Sequence, residues 1–325
     1  MPNAIMIRDY GASDALKLEE LELAELGPDE IRLRQTAVGV NYHDVYVRSG
    51  LYNTLALPGI PGCEAAGVVE SVGADVTGLK PGDRVGYVTG TYGAYASHRN
   101  LAAHLAVHVP DGVSDETVAS NLLRAMTVEM LTGQVVHQIK PGMTVLVHAA
   151  AGGVGRMLCQ ALSSMGAIVI GTVGSPQKAD IALANGCAHV VLYREVDFTI
   201  AVEKITGGSG VDVVYDSVGA DTFSGSIEAL AMCGHLVNFG QSSGPVDPLE
   251  MATLAAKSLT VSRPILFHYL RDPEQYQAMA SKVMQDFQSG ALKAATPTPI
   301  PLHNASRAHE ILESMTGGGS LVLIP

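Results

Sequence analysis

Thr144-Val145-Leu146-Val147-His148-Ala149-Ala150-Ala151-Gly152-Gly153-Val154-Gly155 decides the fold of this chain. The run Thr144–His148 is β-branched and apolar, and three alanines lead from it into the glycines. Val154, Leu158, Ala161, Leu162 and Met165 then recur at helical spacing. A strand, a glycine turn and a helix N-terminus in that order make a cradle for a pyrophosphate. Backbone N–H groups point at the anion, the helix dipole favours its charge, and missing side chains let it approach. Glycine pairs also make plain turns, but the strand before and the helix after place Gly152, Gly153 and Val154 against a dinucleotide.

At 325 residues, 47% hydrophobic and 16% charged, the chain is long enough for two domains with a large core. The formal net charge of −12, with no Lys/Arg run, argues against nucleic acid as a partner. Met1-Pro2-Asn3-Ala4-Ile5-Met6 has no basic region before a long apolar run, so no signal peptide is expected. No stretch reaches the ~20 apolar residues of a membrane span, which makes the cytoplasm the expected location. Cys63, Cys159, Cys187 and Cys233 are scattered without a CxxC pair and read as small core residues.

Along the chain the texture changes once and then changes back. The first third is strand-rich, with candidates at Ile31–Val40, Ala66–Val72 and Arg84–Val88 and a turn at Lys80-Pro81-Gly82-Asp83, which suggests a small barrel-like unit. From about Leu122, strands and helices alternate. The strand candidates are Thr144–His148, Ile168–Val173, His189–Tyr193, Val211–Asp216, His235–Phe239 and Ser258–Arg263, with helices such as Gln177–Asn185 and Phe223–Met232 between them. That pattern predicts a doubly wound parallel sheet. Beyond Pro264 come a helical Pro273–Ser289, the proline-rich Pro297–Pro301, a helix over Ala305–Met315 and an apolar strand, Ser320–Ile324. This last strand must pair with something, and the nucleotide domain already has its strands. The expected fold is therefore α/β, a Rossmann domain over 123–264 inserted into a discontinuous domain, 1–122 with 265–325.

Which dinucleotide binds is read at the end of the second strand. An Asp or Glu there, about 20 residues past the glycines, would accept the ribose hydroxyls of NAD. Here the sequence is Gly171-Thr172-Val173-Gly174-Ser175-Pro176-Gln177-Lys178, with no acid to repel a 2′-phosphate. Gly174 and Ser175 offer hydrogen bonds and Lys178 a cation, while Tyr193 and Arg194 end the third strand beside the same place. The expected cofactor is NADPH.

Several motifs also carry a family resemblance. They are Gly39-Val40-Asn41-Tyr42-His43-Asp44, Arg48-Ser49-Gly50-Leu51-Tyr52, Pro61 to Gly67, Lys80 to Val85, His148 to Gly155 and Val214 to Gly219. With these the chain resembles the medium-chain dehydrogenase/reductase superfamily, in its zinc-free quinone oxidoreductase (zeta-crystallin-like) branch, and is similar to bacterial NADPH:quinone oxidoreductases. The resemblance implies a GroES-like, β-barrel-type catalytic domain around the Rossmann insertion and a homodimer. It also implies a small-molecule quinone as acceptor. Zinc-dependent members place a cysteine where this chain has Asn41 and a histidine where it has Cys63, and Ser120-Asn121-Leu122-Leu123 offers no third cysteine. Zinc needs three or four N, S or O ligands in tetrahedral array, so no metal is expected. Without a Lewis acid, alcohol oxidation is disfavoured and readily reduced acceptors remain.

Asn41, Tyr46 and Tyr52 are the candidate catalytic residues, as hydrogen-bonding and ring-stacking groups for a quinone or the nicotinamide ribose. As ordinary residues they would be a loop cap and two amphipathic tyrosines. Asp44 and Glu64 read as structural, and His43 is a weaker proton-transfer candidate. On the cofactor side Thr127, Ser217, Phe239, Gly240 and Ser242 fall at the helix crossing and at the carboxyl edge of the sheet, where open α/β folds bind ligands. Relatives often carry a basic residue before the final strand, where this chain has Gly317-Gly318-Gly319-Ser320, leaving any contact to backbone or to Ser320. Arg263 before Pro264 reads first as an interdomain ion pair. Rival functions are reduction of an enone or alkenal double bond and a non-catalytic, crystallin-like NADPH-binding protein. One- and two-electron transfer are both open at this stage.

Overall fold

The computed structural model describes residues 1–135, 138–314 and 320–325. The chain divides into two compact units, Met1–Met126 with Tyr269–Pro325, and Thr127–His268.

In the first unit, β1 (Asn3–Met6) and β2 (Lys17–Glu20) pair antiparallel. They are followed by β3 (Glu30–Val40), α1 (Tyr42–Ser49), β4 (Glu64–Val72), β5 (Arg84–Val88), β6 (His98–Ala102), β7 (Val107–His108) and α2 (Asp115–Gly133). Strand β3 organises this unit. One edge pairs antiparallel with β4, while residues Glu30–Arg34 of the other edge pair with β6. Its alternation buries Ile31 and Leu33, and past the register shift at Gln35–Ala37 the strand is buried through Val40. The chain leaves the unit inside α2, a continuous helix rather than a linker.

The second unit runs β8 (Thr144–Val147), α3 (Gly153–Ser164), β9 (Ile168–Val173), α4 (Pro176–Ala184), β10 (His189–Leu192), α5 (Phe198–Thr206), β11 (Val211–Asp216), α6 (Phe223–Ala229), β12 (Leu230–Asn238), α7 (Met251–Ala255), β13 (Thr260–Ser262) and α8 (Leu266–Tyr269). All its strands pair parallel in the order β10-β9-β8-β11-β12-β13, the doubly wound arrangement, and the order reverses between β8 and β11. Val145, Leu146, Val147, Val213 and Val214 are all buried, as central strands covered on both faces must be.

Two expectations change here. The helix expected over Phe223–Met232 stops at Ala229, because β12 already pairs at Leu230↔Val211. The register then jumps to His235↔Val213, and the extra residues are accommodated by Cys233 at φ 62. Cys233 is consequently exposed, not a core residue, unlike buried Cys63, Cys159 and Cys187.

The chain returns to the first unit through α9 (Pro273–Ser289), β14 (Pro297–Pro301), α10 (Ala305–Glu313) and β15 (Ser320–Ile324). Helix α9 is framed by Asp272, which accepts from the N–H groups of Glu274 and Gln275, and by Gly290 at φ 76. The apolar tail β15 pairs antiparallel with Val38–Val40 of β3 and parallel with β14. The segment Pro297–Pro301 is thus an edge strand, with proline at alternate positions. Proline cannot donate to a ladder, so Thr298 and Ile300 carry the N–H groups that pairing needs.

Candidate active site

The glycine turn is built on a strained residue. Ala149 has φ 52, and its carbonyl accepts from Gly152 N–H at 2.8 Å. Gly152 caps α3, and the first-turn amides of Gly153, Val154 and Gly155 have no acceptor within the helix. A Cβ on Gly155 would lie 2.3 Å from the Ala149 carbonyl oxygen, so its absence is what lets α3 rest on the strand end. The buried residues of α3 are accordingly Gly155, Met157, Leu158, Cys159 and Leu162. The expected stripe ran through Val154 and Met165, but Val154 is half-buried and Met165 is 38% exposed. Gly155 takes the inward place because only glycine fits it.

The residues expected around the 2′-phosphate stand together. Ser175 caps α4, accepting from Lys178 N–H, with Pro176 at the first helical position. A Cβ on Gly174 would meet the Tyr193 hydroxyl at 2.8 Å and Arg194 Nε at 3.4 Å, so both side chains lie over Gly174. Beneath the cradle, His148 bridges the hydroxyls of Thr172 and Ser226, each at 2.9 Å. Burial lowers its pKa to about 4, so it stays neutral.

A third cluster forms where β11 and β12 end. Buried Asp216 accepts from Val218 N–H, Gly219 N–H, the Thr222 hydroxyl and Asn238 Nδ2. This network shapes the turn that carries Ser217. Gly240 packs on Ser217 so closely that a Cβ would lie 2.5 Å from the Ser217 carbonyl oxygen, and Ser242 N–H donates to the same oxygen at 3.3 Å. Phe239 N–H donates to Asp216 O, and Thr127 is buried in α2. Arg263 donates to the Asn238 carbonyl at 3.0 Å, a contact within its own unit.

In the first unit the candidates lie on α1 and its flanks. Asn41 is the N-cap, and its backbone N–H donates to the Asp44 carboxylate at 2.8 Å. Its side-chain Nδ2 donates to Glu64 Oε1 at 2.7 Å, and Glu64 Oε2 accepts from Leu123 N–H at 2.7 Å. Asp44 also accepts from the Tyr95 hydroxyl, which bonds His309 Nε2 at 3.0 Å. Arg48 donates to His309 Nδ1 and holds Glu313 through two nitrogens. Since Arg48 has only donors, His309 Nδ1 accepts and its Nε2 carries the proton. Burial, then the charge of Arg48, lowers His309 to about 3.

Around this loop the aromatic rings gather. Tyr46 and Tyr52 lie 4.9 Å apart, Tyr42 and Tyr46 5.2 Å, His43 and Tyr52 5.5 Å, and His43 stacks on Tyr92 at 5.9 Å. Burial raises the Tyr92 phenol to about 12 and lowers His43 to about 4. Tyr92 was not foreseen. It sits at φ 55 in the turn Thr89-Gly90-Thr91-Tyr92-Gly93, and no sequence spacing ties that turn to α1.

These residues do not fit a zinc ion. The Asn41 amide nitrogen is spent on Glu64, and both oxygens of Glu64 are occupied by donors. Burial, then the charges of Asp44 and Glu64, push the Cys63 thiol well above its usual range, away from the thiolate a metal needs. Among the described residues no group of three His, Cys, Asp or Glu is placed to hold a metal. Ser320, expected as a stand-in for a basic cofactor contact, is instead buried, accepting from Arg124 and donating to Asn121 Oδ1 at 3.0 Å. Gly317–Gly319 lie outside the described residues.

Residues 27–111 match the alcohol dehydrogenase GroES-like domain, and residues 153–285 match the zinc-binding dehydrogenase family. The quinone oxidoreductase of Pseudomonas aeruginosa is 41% identical over 326 residues, covering 100% of both chains. The chain belongs to the quinone oxidoreductase branch of the medium-chain dehydrogenase/reductase superfamily. Within this superfamily it is also similar to the 2-haloacrylate reductase of a Burkholderia species, 37% identical over 100% of this chain and 99% of that one. The crystal structure of Escherichia coli quinone oxidoreductase complexed with NADPH superposes with a TM-score of 0.95 and 41% identity, covering 99% of this chain and 100% of that chain. The match to a model named for zinc stands beside an Asn41 amide that is bonded to Glu64 and a Cys63 thiol held protonated, at the two positions where zinc-dependent members place ligands.

Proposed function

We propose that this chain reduces small quinones with NADPH and without a metal ion. The observation that carries the cofactor half is the placing of Tyr193 and Arg194 over Gly174, next to Ser175, which caps the helix that carries Lys178, at a strand end without a carboxylate. The quinone oxidoreductase branch supplies the acceptor class. When bound, NADPH supplies a hydride. The first-turn amides of α3 hold its pyrophosphate, the hydroxyls of Ser175 and Tyr193 donate to the 2′-phosphate, and Lys178 and Arg194 neutralise it. Ser217, Phe239, Gly240, Ser242 and Thr127 border the nicotinamide. Tyr46 and Tyr52 offer flat surfaces to a planar ring and phenolic donors to the oxyanion left by reduction. The buried Tyr92 hydroxyl is taken up by Thr54 Oγ1 and lies 3.3 Å from His43 Nε2, so Tyr92 supports the loop and does not serve as the donor.

Steady-state rates with a simple para-quinone and with a conjugated enone test the acceptor, and dissociation constants for NADPH and NADH test the cofactor. The quinone should give the larger kcat/KM, and NADPH the tighter binding. Lys178→Ala should weaken NADPH about tenfold and leave NADH unchanged, the loss of one partly exposed charge-assisted contact. An enone rate far above the quinone rate would move the chain toward the haloacrylate reductase, whose named substrate is a conjugated alkene. Tight NADPH binding without turnover on any acceptor would favour the crystallin-like reading.

We also infer a cytoplasmic homodimer. No helix among the described residues is long and apolar enough to cross a membrane. Strand β13 is a short sheet edge, and elements next to it expose Met232 (73%), Met251 (76%) and Ile265 (47%). Light scattering that returned the single-chain mass of 33.9 kDa would overturn the dimer.

A further inference from the structure

Glu64 is fully buried, and the reduction described above makes no direct use of it. Its place is made by a missing side chain. A Cβ on Gly39 would lie 2.5 Å from Glu64 Cγ, 2.6 Å from Oε1 and 2.0 Å from the Ala119 carbonyl oxygen. In that slot each oxygen meets one donor, Asn41 Nδ2 for Oε1 and the Leu123 backbone N–H for Oε2, both at 2.7 Å. The two donors are not equivalent. A backbone amide inside α2 cannot turn round, whereas a side-chain amide can present either edge. The opposite orientation of Asn41 would set its carbonyl oxygen against Oε1, acceptor against acceptor.

We propose that Glu64 is a positioning residue, whose carboxylate turns the Asn41 amide so that Oδ1 is offered to a hydrogen-bond donor of the bound cofactor. This rests on the assignment of Asn41 to the reaction site. It also divides the labour: Asn41 orients the cofactor by accepting, and oxyanion stabilisation falls to the phenols of Tyr46 and Tyr52. The charged groups acting on Glu64 are Arg124 and Asp44, and burial raises it to about 7. The test is therefore set at about pH 8, where the carboxylate prevails.

Glu64→Gln keeps the shape and one acceptor. The fixed Leu123 N–H claims that oxygen, the Gln amide faces Asn41, and Asn41 must flip. Its NH2 then opposes the donor of the cofactor. The NADPH dissociation constant, read by fluorescence, should rise about 10- to 100-fold, the effect of one lost hydrogen bond and one unpaired donor. Adding Asn41→Asp to Glu64→Gln restores an acceptor on both edges of residue 41 with the same total charge, so the double variant should return to within about threefold of the original affinity. The flip would also remove the cap that the Asn41 side chain gives to the Asp44 N–H, which Asn41→Asp restores, so thermal unfolding separates the two roles. A purely structural one would lower the melting temperature of Glu64→Gln together with its affinity, whereas positioning lowers the affinity alone.

Wild-type affinity for Glu64→Gln, or no recovery in the double variant, overturns the proposal. A wild-type chain that does not bind NADPH, or binds it but reduces no quinone, instead counts against the functional reading. The unmutated chain gives a reading that does not depend on the variants folding. The Asn41 side-chain amide protons should exchange slowly with solvent by NMR, and fast exchange also overturns the proposal.

Discussion

Gly155→Ala is expected to lower the stability of the protein by about 3 kcal/mol and to abolish tight cofactor binding with it. The added methyl would sit 2.3 Å from the Ala149 carbonyl oxygen and 3.0 Å from Ala149 C and Ala150 Cα. All three are backbone atoms, so no side chain can swing aside. The helix must lift, which loosens the contacts of Leu158, Cys159 and Leu162 and moves the amides that face the pyrophosphate. Gly152→Ala makes the informative comparison. Its φ is −73, and its Cβ would meet only the Ala149 oxygen, at 3.0 Å. That variant should stay within about 1 kcal/mol of the original while still binding NADPH poorly, because its methyl projects where the phosphate approaches. Thermal unfolding should show a drop of roughly 6–12 °C for Gly155→Ala. A melting point within a degree of the unmutated chain would show that α3 does not rest on the turn.

The second large effect is one of pH. Burial raises the Glu64 carboxyl from 4.5 to about 7 against the hydrogen bonds of Asn41 and Leu123 and the charge of Arg124, while Asp44 adds to the rise. Between those two values the folded chain keeps a proton that the unfolded chain has released. Stability from this group is therefore complete below about 4.5 and is lost as pH rises to about 7, near 1.4 kcal/mol per unit and about 3 kcal/mol in all. His43 and His148, both lowered to about 4, act in the opposite sense, losing stability as pH falls below 6.5. His309, lowered to about 3, joins them, and Asp44, raised to about 7, joins Glu64. Three histidines outweigh two carboxyls, so the unmutated chain gains stability as pH rises toward 6.5, while the difference between Glu64→Gln and the original isolates the Glu64 carboxyl. That difference should move in favour of Glu64→Gln by about 3 kcal/mol from pH 4.5 to 7 in denaturant titrations. A difference independent of pH would mean that Glu64 ionises as a solvated carboxylate does. Taken with its proposed role, Glu64 is a group whose burial costs stability for the sake of how Asn41 faces.

The sequence by itself determined the sheet and its cofactor cradle. Val145 to Val147 and Val211 to Asp216 read as buried strands because their apolar runs are local. Gly152 and Gly153 read as a phosphate turn because strand, glycine and helix follow one another within a dozen residues. Ser175 and Lys178 stand out from one short segment, and the structure places them at the cap and in the first turn of α4. What needed the tertiary structure were contacts between residues far apart in the chain. Tyr92 joins His43 only through a left-handed turn, and Ser320 is drawn onto Arg124 and Asn121 instead of facing outward. Cys233 leaves the core because β12 pairs earlier than helical periodicity suggests. Pro297–Pro301 becomes a strand because a sheet edge, unlike a central position, tolerates proline. Glu64 is the sharpest case. Beside Cys63 it reads as architecture, and only the hole at Gly39, the fixed amide of Leu123 and the side chain of Asn41, brought together by three separate elements, give its carboxylate a direction to impose.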